Sequence, residues 1–340
     1  MRHILSVIVT VIAAAVASHA AERDISVRSA DGTVLAGTLS MPDSAPRAAV
    51  LLVTGSGAQD RDEEIFGHRP FLHIARHLSD AGYAVLRLDD RGAGQSTGDF
   101  SKAVDADFLA DIDAAMCALD SACAGVPLGI IGHSSGGQLA VRSAASPRSR
   151  AAFIVTLAAP AWRGDSLIMS QTRALAVGLS GKWEAEGLQR RLLDIAMQPL
   201  PPLIVRPMLM TALSEQVPEA MRSDPKIQAQ IAAGADALLS PWYRDMLRYD
   251  PAADIAAVTV PWLALNGSRD TQVLPANLET IAQLNPQART AVNEGLNHLF
   301  LTCTTGLVNE YPTLPQSDYA DLCRIITDWL GTLDLTTNKR

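Results

Sequence analysis

A chain of 340 residues, 48% apolar and only 19% charged, can bury a large core, which argues against intrinsic disorder and leaves room for one large domain or one domain with an insertion. Its formal charge of −8 and the absence of any Lys/Arg run argue against nucleic acid or an anionic membrane surface as partner. Its four cysteines (Cys117, Cys123, Cys303 and Cys323) form no CxxC or Cys/His cluster, so neither zinc nor another metal is expected.

Residues 1–20 read as a signal peptide. Arg2 supplies a positive start, residues 4–17 a short apolar stretch, and Ser18-His19-Ala20 a small-x-small cleavage site. As a helix, that stretch would rise about 21 Å, short of a hydrocarbon core of about 30 Å, so a membrane span is not expected after cleavage. The mature chain is therefore expected to be exported, periplasmic or secreted. In an oxidising compartment the even cysteine count and sequence proximity suggest two bridges, Cys117–Cys123 and Cys303–Cys323, with four buried thiols packed as small hydrophobes as the alternative.

Beyond Asp24 the hydrophobic pattern alternates between strand and helix. Residues 27–39 read as a leading hairpin turning at Asp31-Gly32. Residues 48–54 form a continuous apolar run, as a strand buried on both faces of a parallel sheet requires. A helix is expected at 71–79, a strand at 83–88, a helix at 105–119, a strand at 127–132, a helix at 137–144 and a strand at 151–157. From 162 to about 254 the periodicity is helical throughout, broken at Pro199-Leu200-Pro201-Pro202 and at Pro207. Strand-like runs return at 261–266 and 289–292, and a last helix covers 317–333. This pattern predicts an α/β architecture: a mostly parallel central sheet with helices on both faces, formed by residues 21–160 and 255–340. Residues 161–254 are too long for a plain loop and read as a helical cap inserted above the sheet.

Gly132-His133-Ser134-Ser135-Gly136 stands between an apolar strand and a helix. A G-x-S-x-G in that setting forces the serine into a tight turn that exposes its hydroxyl at the carboxyl edge of the sheet, so Ser134 is the candidate nucleophile. A serine hydroxyl needs a base within hydrogen-bond reach. In this arrangement the partners follow in the order Ser, acid, His. Of the seven histidines only His298 follows Ser134, which makes it the candidate base. His133, beside the serine, is read as structural, since its side chain should point away from the site. Asp270, a short turn after the 261–266 strand, is the candidate acid, and Asp165 is its competitor. The backbone amides of Ser135 and of Ser56, in the turn after the 48–54 strand, are the candidate oxyanion donors.

These residues resemble the α/β-hydrolase superfamily, and most closely its serine aminopeptidase-like group of esterases and peptidases. Asp89-Asp90-Arg91-Gly92-Ala93-Gly94-Gln95-Ser96 resembles that superfamily's D-x-R-G-x-G-x-S segment. Asn266-Gly267-Ser268-Arg269-Asp270 and Leu296-Asn297-His298 resemble its acid and histidine loops. Many relatives carry His-Gly at the oxyanion turn, where this chain has Thr54-Gly55. Neither Gly55-Ser56-Gly57 nor Gly92-Ala93-Gly94 continues into G-x-G-x-x-G, because Asp60 and Thr97 replace the third glycine, so no dinucleotide cofactor is expected.

The expected activity is hydrolysis of small to medium apolar carboxylic esters through an acyl-enzyme, with a small-molecule acyl substrate and no cofactor. The same triad would serve an aminopeptidase or a thioesterase, and a non-catalytic binding protein is the remote alternative. Met169, Met197, Met208, Met210, Met221 and Met246, with Trp162, Trp183 and Trp242, fall in the helical block. They are expected either to wall an apolar pocket or to pack the block's helices together. Asp60-Arg61-Asp62-Glu63-Glu64 reads as a solvated loop, with recognition of a substrate amine as the alternative.

Overall fold

The structure is a computed structural model describing residues 21–335. The expected signal peptide lies outside the described residues, and among these no helix is long and apolar enough to cross a membrane.

The leading hairpin is β1 (Ala21–Arg28) and β2 (Val34–Met41), paired antiparallel. Strands and helices then alternate: β3 (Ala49–Val53), α1 (Pro70–Asp80), β4 (Ala84–Leu88), α2 (Asp105–Ala122), β5 (Leu128–His133), α3 (Ser135–Ala145) and β6 (Ala151–Leu157). Six helices follow with no strand between them: α4 (Gly164–Ser180), α5 (Glu186–Ala196), α6 (Pro202–Ser214), α7 (Pro225–Leu238), α8 (Pro241–Arg248) and α9 (Ala252–Ala257). The chain closes with β7 (Trp262–Gly267), α10 (Ala276–Leu284), β8 (Arg289–Asn293) and α11 (Ala320–Thr332).

All eight strands form one sheet in the order β1-β2-β4-β3-β5-β6-β7-β8, antiparallel at β1/β2 and β2/β4 and parallel elsewhere. The central strands are mostly apolar because both faces are covered. On one face Phe71, Ile74 and Leu78 of α1 and Ile326 and Leu330 of α11 pack with Val50, Val85 and Val155. On the other, Ile112, Met116 and Leu119 of α2 and Ala140 and Val141 of α3 pack with Leu51, Leu86 and Ile130. The register places Val53 beside Gly132, His133 beside Leu157, Leu157 beside Leu265, and Gly267 beside Asn293. The loops that follow β3, β5, β7 and β8 therefore leave the sheet at one edge, the carboxyl edge, where open α/β sheets place their ligands.

Helices α5, α6 and α7 form a small core of their own around Val205, Leu209 and Ala235. Pro207 does not interrupt this block. It lies in the second turn of α6, where it costs a single early bond, to the carbonyl of the exposed Leu203, and the helix continues to Ser214. Helix α10 has no counterpart in the sequence reading; it is short, and Pro275 stands at its start.

The cysteines correct the sequence reading: Cys117, Cys123, Cys303 and Cys323 are all free. Cys117 and Cys123 are six positions apart on and just after α2, which separates their Cα atoms by about 9 Å, beyond the reach of about 7 Å that a bridge allows. Cys117 is exposed, whereas Cys123 is buried with its sulfur 4.0 Å from that of Met41. The thiol of Cys303 donates to the carbonyl of Gly295 (3.6 Å), while Cys323 is part of the α1/α11 core, where burial pushes its pKa up to about 12. The three buried thiols, Cys123, Cys303 and Cys323, pack as small hydrophobes. Titration of denatured, unreduced protein should therefore find four thiols per chain, and a count of zero would restore the bridged pairing.

Candidate active site

Ser134 sits between β5 and α3 with φ 53° and ψ −122°, a backbone conformation that non-glycine residues rarely adopt. Two contacts hold it there. Its amide donates to the carbonyl of Leu157 at 2.8 Å, and its carbonyl accepts the amide of Gly137 at 3.0 Å. The flanking glycines are a steric requirement: a Cβ on Gly132 would collide with the backbone of Gly136, and one on Gly136 with the carbonyls of Val53 and Thr54. The turn therefore packs directly against β3, and the side chain of Ser134 projects into a cleft above the sheet edge.

Asp270 and His298 come from the loops after β7 and β8. Nδ1 of His298 donates to Oδ2 of Asp270 at 2.7 Å, with the two residues 4% and 2% exposed. The other carboxylate oxygen of Asp270 accepts the amides of Gln272 (2.8 Å) and Val273 (2.9 Å), so the acid is held from both sides. Oδ1 of Asn297 pins the histidine loop by accepting the amides of Leu299 and Leu301, each at 3.0 Å. The loops approach closely because position 267 is glycine; a Cβ there would strike the carbonyls of Leu296 and Asn297.

With Nδ1 engaged, Nε2 of His298 has no partner among the described residues, and it is not among the atoms sealed from solvent. It shares the cleft with Ser134 without a hydrogen bond between the two, a contact that commonly tightens only when substrate binds. The cleft measures about 280 Å³ and also exposes Ser56 and Ser135. The amides of these two serines have no acceptor among the described residues. By contrast, the amide of Gly55 donates to Oε1 of Glu63 (2.6 Å), which leaves Ser56 as the available donor on that turn.

The other sequence candidates fall elsewhere. Asp165 lies in the first turn of α4, paired with Arg163, and does not line the cleft. Of the methionines and tryptophans in the helical block, Trp242 and Met246 of α8 line the cleft. Trp162, Met169 and Trp183 border a separate groove, Met197 and Met210 pack within the block, and Met208 and Met221 are exposed. The 60–64 segment is not solvated as expected. Asp62 and Glu63 are 5% and 0% exposed, and Arg61 is bound to Asp89 at 2.7 Å. Asp62 pairs with Arg87, a buried cation in the middle of β4, and with Arg69. The Asp89–Ser96 segment is likewise structural, since Arg91 binds Asp111 through two bonds of 2.8 Å and Asp89 accepts the amide of Gln95.

Residues 44–302 match the family described as serine aminopeptidase, S33. The chain belongs to that family. It is 27% identical over 286 residues to esterase EstD of Thermotoga maritima, an alignment covering 83% of this chain and 60% of that protein, so the chain spans only part of its relative's length. Among solved structures it is similar to an esterase of Pyrococcus furiosus (TM-score 0.55, 14% identity, 92% of this chain and 90% of that one). It is also similar to a proline iminopeptidase of Mycobacterium smegmatis (TM-score 0.56, 16% identity, 91% and 98%). A thermophilic esterase of Thermogutta terrifontis, solved with malate bound, gives 0.52 at 19% identity over 91% and 98%. These likenesses show that the member described here has the α/β-hydrolase fold.

The geometry ranks the two acids. Asp270→Asn should lower kcat by about 10⁴-fold, because the amide favours the wrong imidazole tautomer, whereas Asp165→Asn should change it by less than about threefold. Steady-state kinetics on one ester substrate checks the ranking, and a reversed order would move the acid to the loop after β6.

Proposed function

We propose that this chain is a serine hydrolase that cleaves small to medium, apolar carboxylic esters through an acyl-enzyme, with Ser134 as nucleophile, His298 as general base and Asp270 as its orienting acid. The observation behind the reading is the buried Asp270–His298 contact of 2.7 Å beside a serine held in strained backbone geometry.

In the proposed cycle, Oγ of Ser134 attacks the acyl carbonyl as Nε2 of His298 removes its proton. Asp270, already accepting the Nδ1 proton, stabilises the imidazolium that forms. The amides of Ser56 and Ser135 receive the oxyanion, and losing one such donor typically costs about 3 kcal/mol of transition-state stabilisation. His298 returns the proton to the departing alcohol, then takes one from water as that water attacks the acyl-enzyme. The second tetrahedral intermediate collapses as His298 returns that proton to Oγ, which releases the acid and restores Ser134 and the neutral imidazole.

The cleft lining favours esters over amino-terminal peptides. An aminopeptidase must hold the substrate's ammonium group, which calls for an available carboxylate. Among the described residues the only acid lining the cleft is Glu63. Its Oε1 is already shared by Gly55 and His133, and its Oε2 is sealed from solvent. Apart from the serines, His133, His298 and the two tyrosines, Tyr243 and Tyr311, the remaining lining is apolar or amide, including Leu167 and Ile168 of α4, Trp242 and Met246 of α8, Gln138, Gln171 and Gln272.

A second chamber of about 60 Å³ adjoins the oxyanion turn, bordered by Ser56, Ser135, Phe100, Phe108, Ile112 and Trp242. We assign it to a short acyl chain. Asp90 lies on its wall; burial raises the Asp90 pKa to about 7, against the bonds it accepts from the amide of Gln59 and the hydroxyl of Thr54. Asp89 and Asp111 on the same wall are paired with Arg61 and Arg91, so an apolar occupant would rest against Phe100, Phe108, Ile112 and Trp242.

Hydrolysis of p-nitrophenyl esters of graded length should give the highest kcat/KM near about four carbons, falling about tenfold or more by twelve, with aminoacyl anilides turned over at least about 100-fold more slowly. Ser134→Ala should remove about 10⁴-fold or more of the ester activity while thermal unfolding stays nearly unchanged. Faster anilide than ester turnover would replace the ester reading with a peptidase, and an active Ser134→Ala would end the nucleophile assignment.

A further inference from the structure

Beside the proposed triad lies a second histidine, His133, whose bonds the reaction as written does not use. It is buried, 4% exposed, and its ring centroid is 4.8 Å from that of His298. Nδ1 of His133 lies 2.8 Å from Oε1 of Glu63, and Nε2 lies 2.9 Å from the backbone carbonyl of His298. That same Oε1 accepts the amide of Gly55 at 2.6 Å. Four segments thus join through one carboxylate and one imidazole: the oxyanion turn, the 60–64 loop that follows it, the elbow and the histidine loop. Glu63 is held there with φ 53°, in the left-handed region that few non-glycine residues adopt.

The bonding pattern constrains the protons. A carbonyl oxygen can only accept, so Nε2 of His133 must carry a hydrogen toward His298. An ionised Glu63 can only accept as well, so Nδ1 must carry one toward it. We propose that Glu63 and His133 form a buried carboxylate–imidazolium pair that positions the catalytic apparatus, locking the oxyanion turn and the backbone of His298 into one rigid unit. The assignment rests on the reading of Ser134, Asp270 and His298 as the triad.

Burial alone would strip the proton from His133, but the charge and hydrogen bond of Glu63, with the carbonyl of His298, hold its pKa above the ordinary histidine value. The titratable groups around this ring are Glu63, His298, behind it Asp270, and Tyr319, which borders a small cavity with Glu63 and His133. Glu63 and His133 are positioning residues: neither supplies an atom to the reaction. By occupying the amide of Gly55, Glu63 leaves the next amide, that of Ser56, to face the cleft. By donating to the carbonyl of His298, His133 fixes the backbone from which the base projects.

Nitrogen-15 NMR of histidine-labelled protein tests the charge state directly. The prediction is a His133 ring protonated at both nitrogens at pH 8, with both protons slow to exchange, in the wild type and in Ser134→Ala alike. In Glu63→Gln one of the two ring protons should be lost. Kinetics tests the positioning role. Glu63→Gln and His133→Asn should each lower kcat by about 10- to 100-fold with KM within about threefold, since small misplacements at a reacting centre act mainly on the transition state. The double variant should be no slower than the slower single variant, because either change breaks the same chain of bonds. A singly protonated His133 in the wild type would overturn the pair as a neutral Glu63–His133 contact. Unchanged kcat in folded Glu63→Gln, or losses that multiply in the double variant, would overturn the positioning role. Should Glu63→Gln fail to fold, the wild-type spectrum and His133→Asn decide. Activity surviving in Ser134→Ala would sink the triad reading while leaving the His133 spectrum intact, so the two failures are distinguishable.

Discussion

Ser134 can face the cleft only because its backbone is held where a side-chain-bearing residue rarely sits, at φ 53° and ψ −122°. Conformations of this kind cost roughly 1–3 kcal/mol and persist only where the surroundings over-determine them. Here the surroundings are the sheet itself. The amide of Ser134 is tied to β6 through Leu157, and Gly136 packs so closely on the end of β3 that no Cβ fits between them. The rigidity of the buried, parallel central strands is therefore concentrated on one residue at their carboxyl edge.

The same edge explains how groups far apart in sequence meet. Strands β3, β5, β7 and β8 end in register, so the loops bearing Ser56, Ser134, Asp270 and His298 leave the sheet side by side. Two sets of polar contacts then fix those loops against one another. Asp270 holds His298 from one direction, and the Glu63–His133 contacts reach the carbonyl of His298 from the other. Helices α4 and α8 cover the result, contributing Leu167, Ile168, Trp242 and Met246 to the cleft, so the helical block walls a cleft whose floor is made by the loops of the sheet edge.

Most of this scaffold is legible in the sequence because buried parallel strands must be apolar throughout; the 48–54 and 127–132 runs stand out for that reason. Ser134 and His298 are legible from the strand-to-helix setting of the G-x-S-x-G and from chain order. Glu63 is not. Five consecutive polar residues at 60–64 look like a solvated loop, and what buries them comes from far away: Arg87 for Asp62, Asp89 for Arg61, His133 for Glu63. The only available hint was His133 itself, an unassigned histidine next to a nucleophile, which when buried must find partners. The cysteines failed for the opposite reason. Proximity along the chain suggested bridges, but a helix carries Cys117 and Cys123 too far apart.

The central claim is that the strained serine is the nucleophile of a working hydrolase, and active-site labelling addresses it without assuming any substrate. A fluorophosphonate probe forms a stable phosphonyl ester with an activated serine hydroxyl, and mass spectrometry of the digested protein locates the adduct. The account predicts one adduct per chain, on Ser134. An adduct on another residue, or none on folded protein, would contradict it.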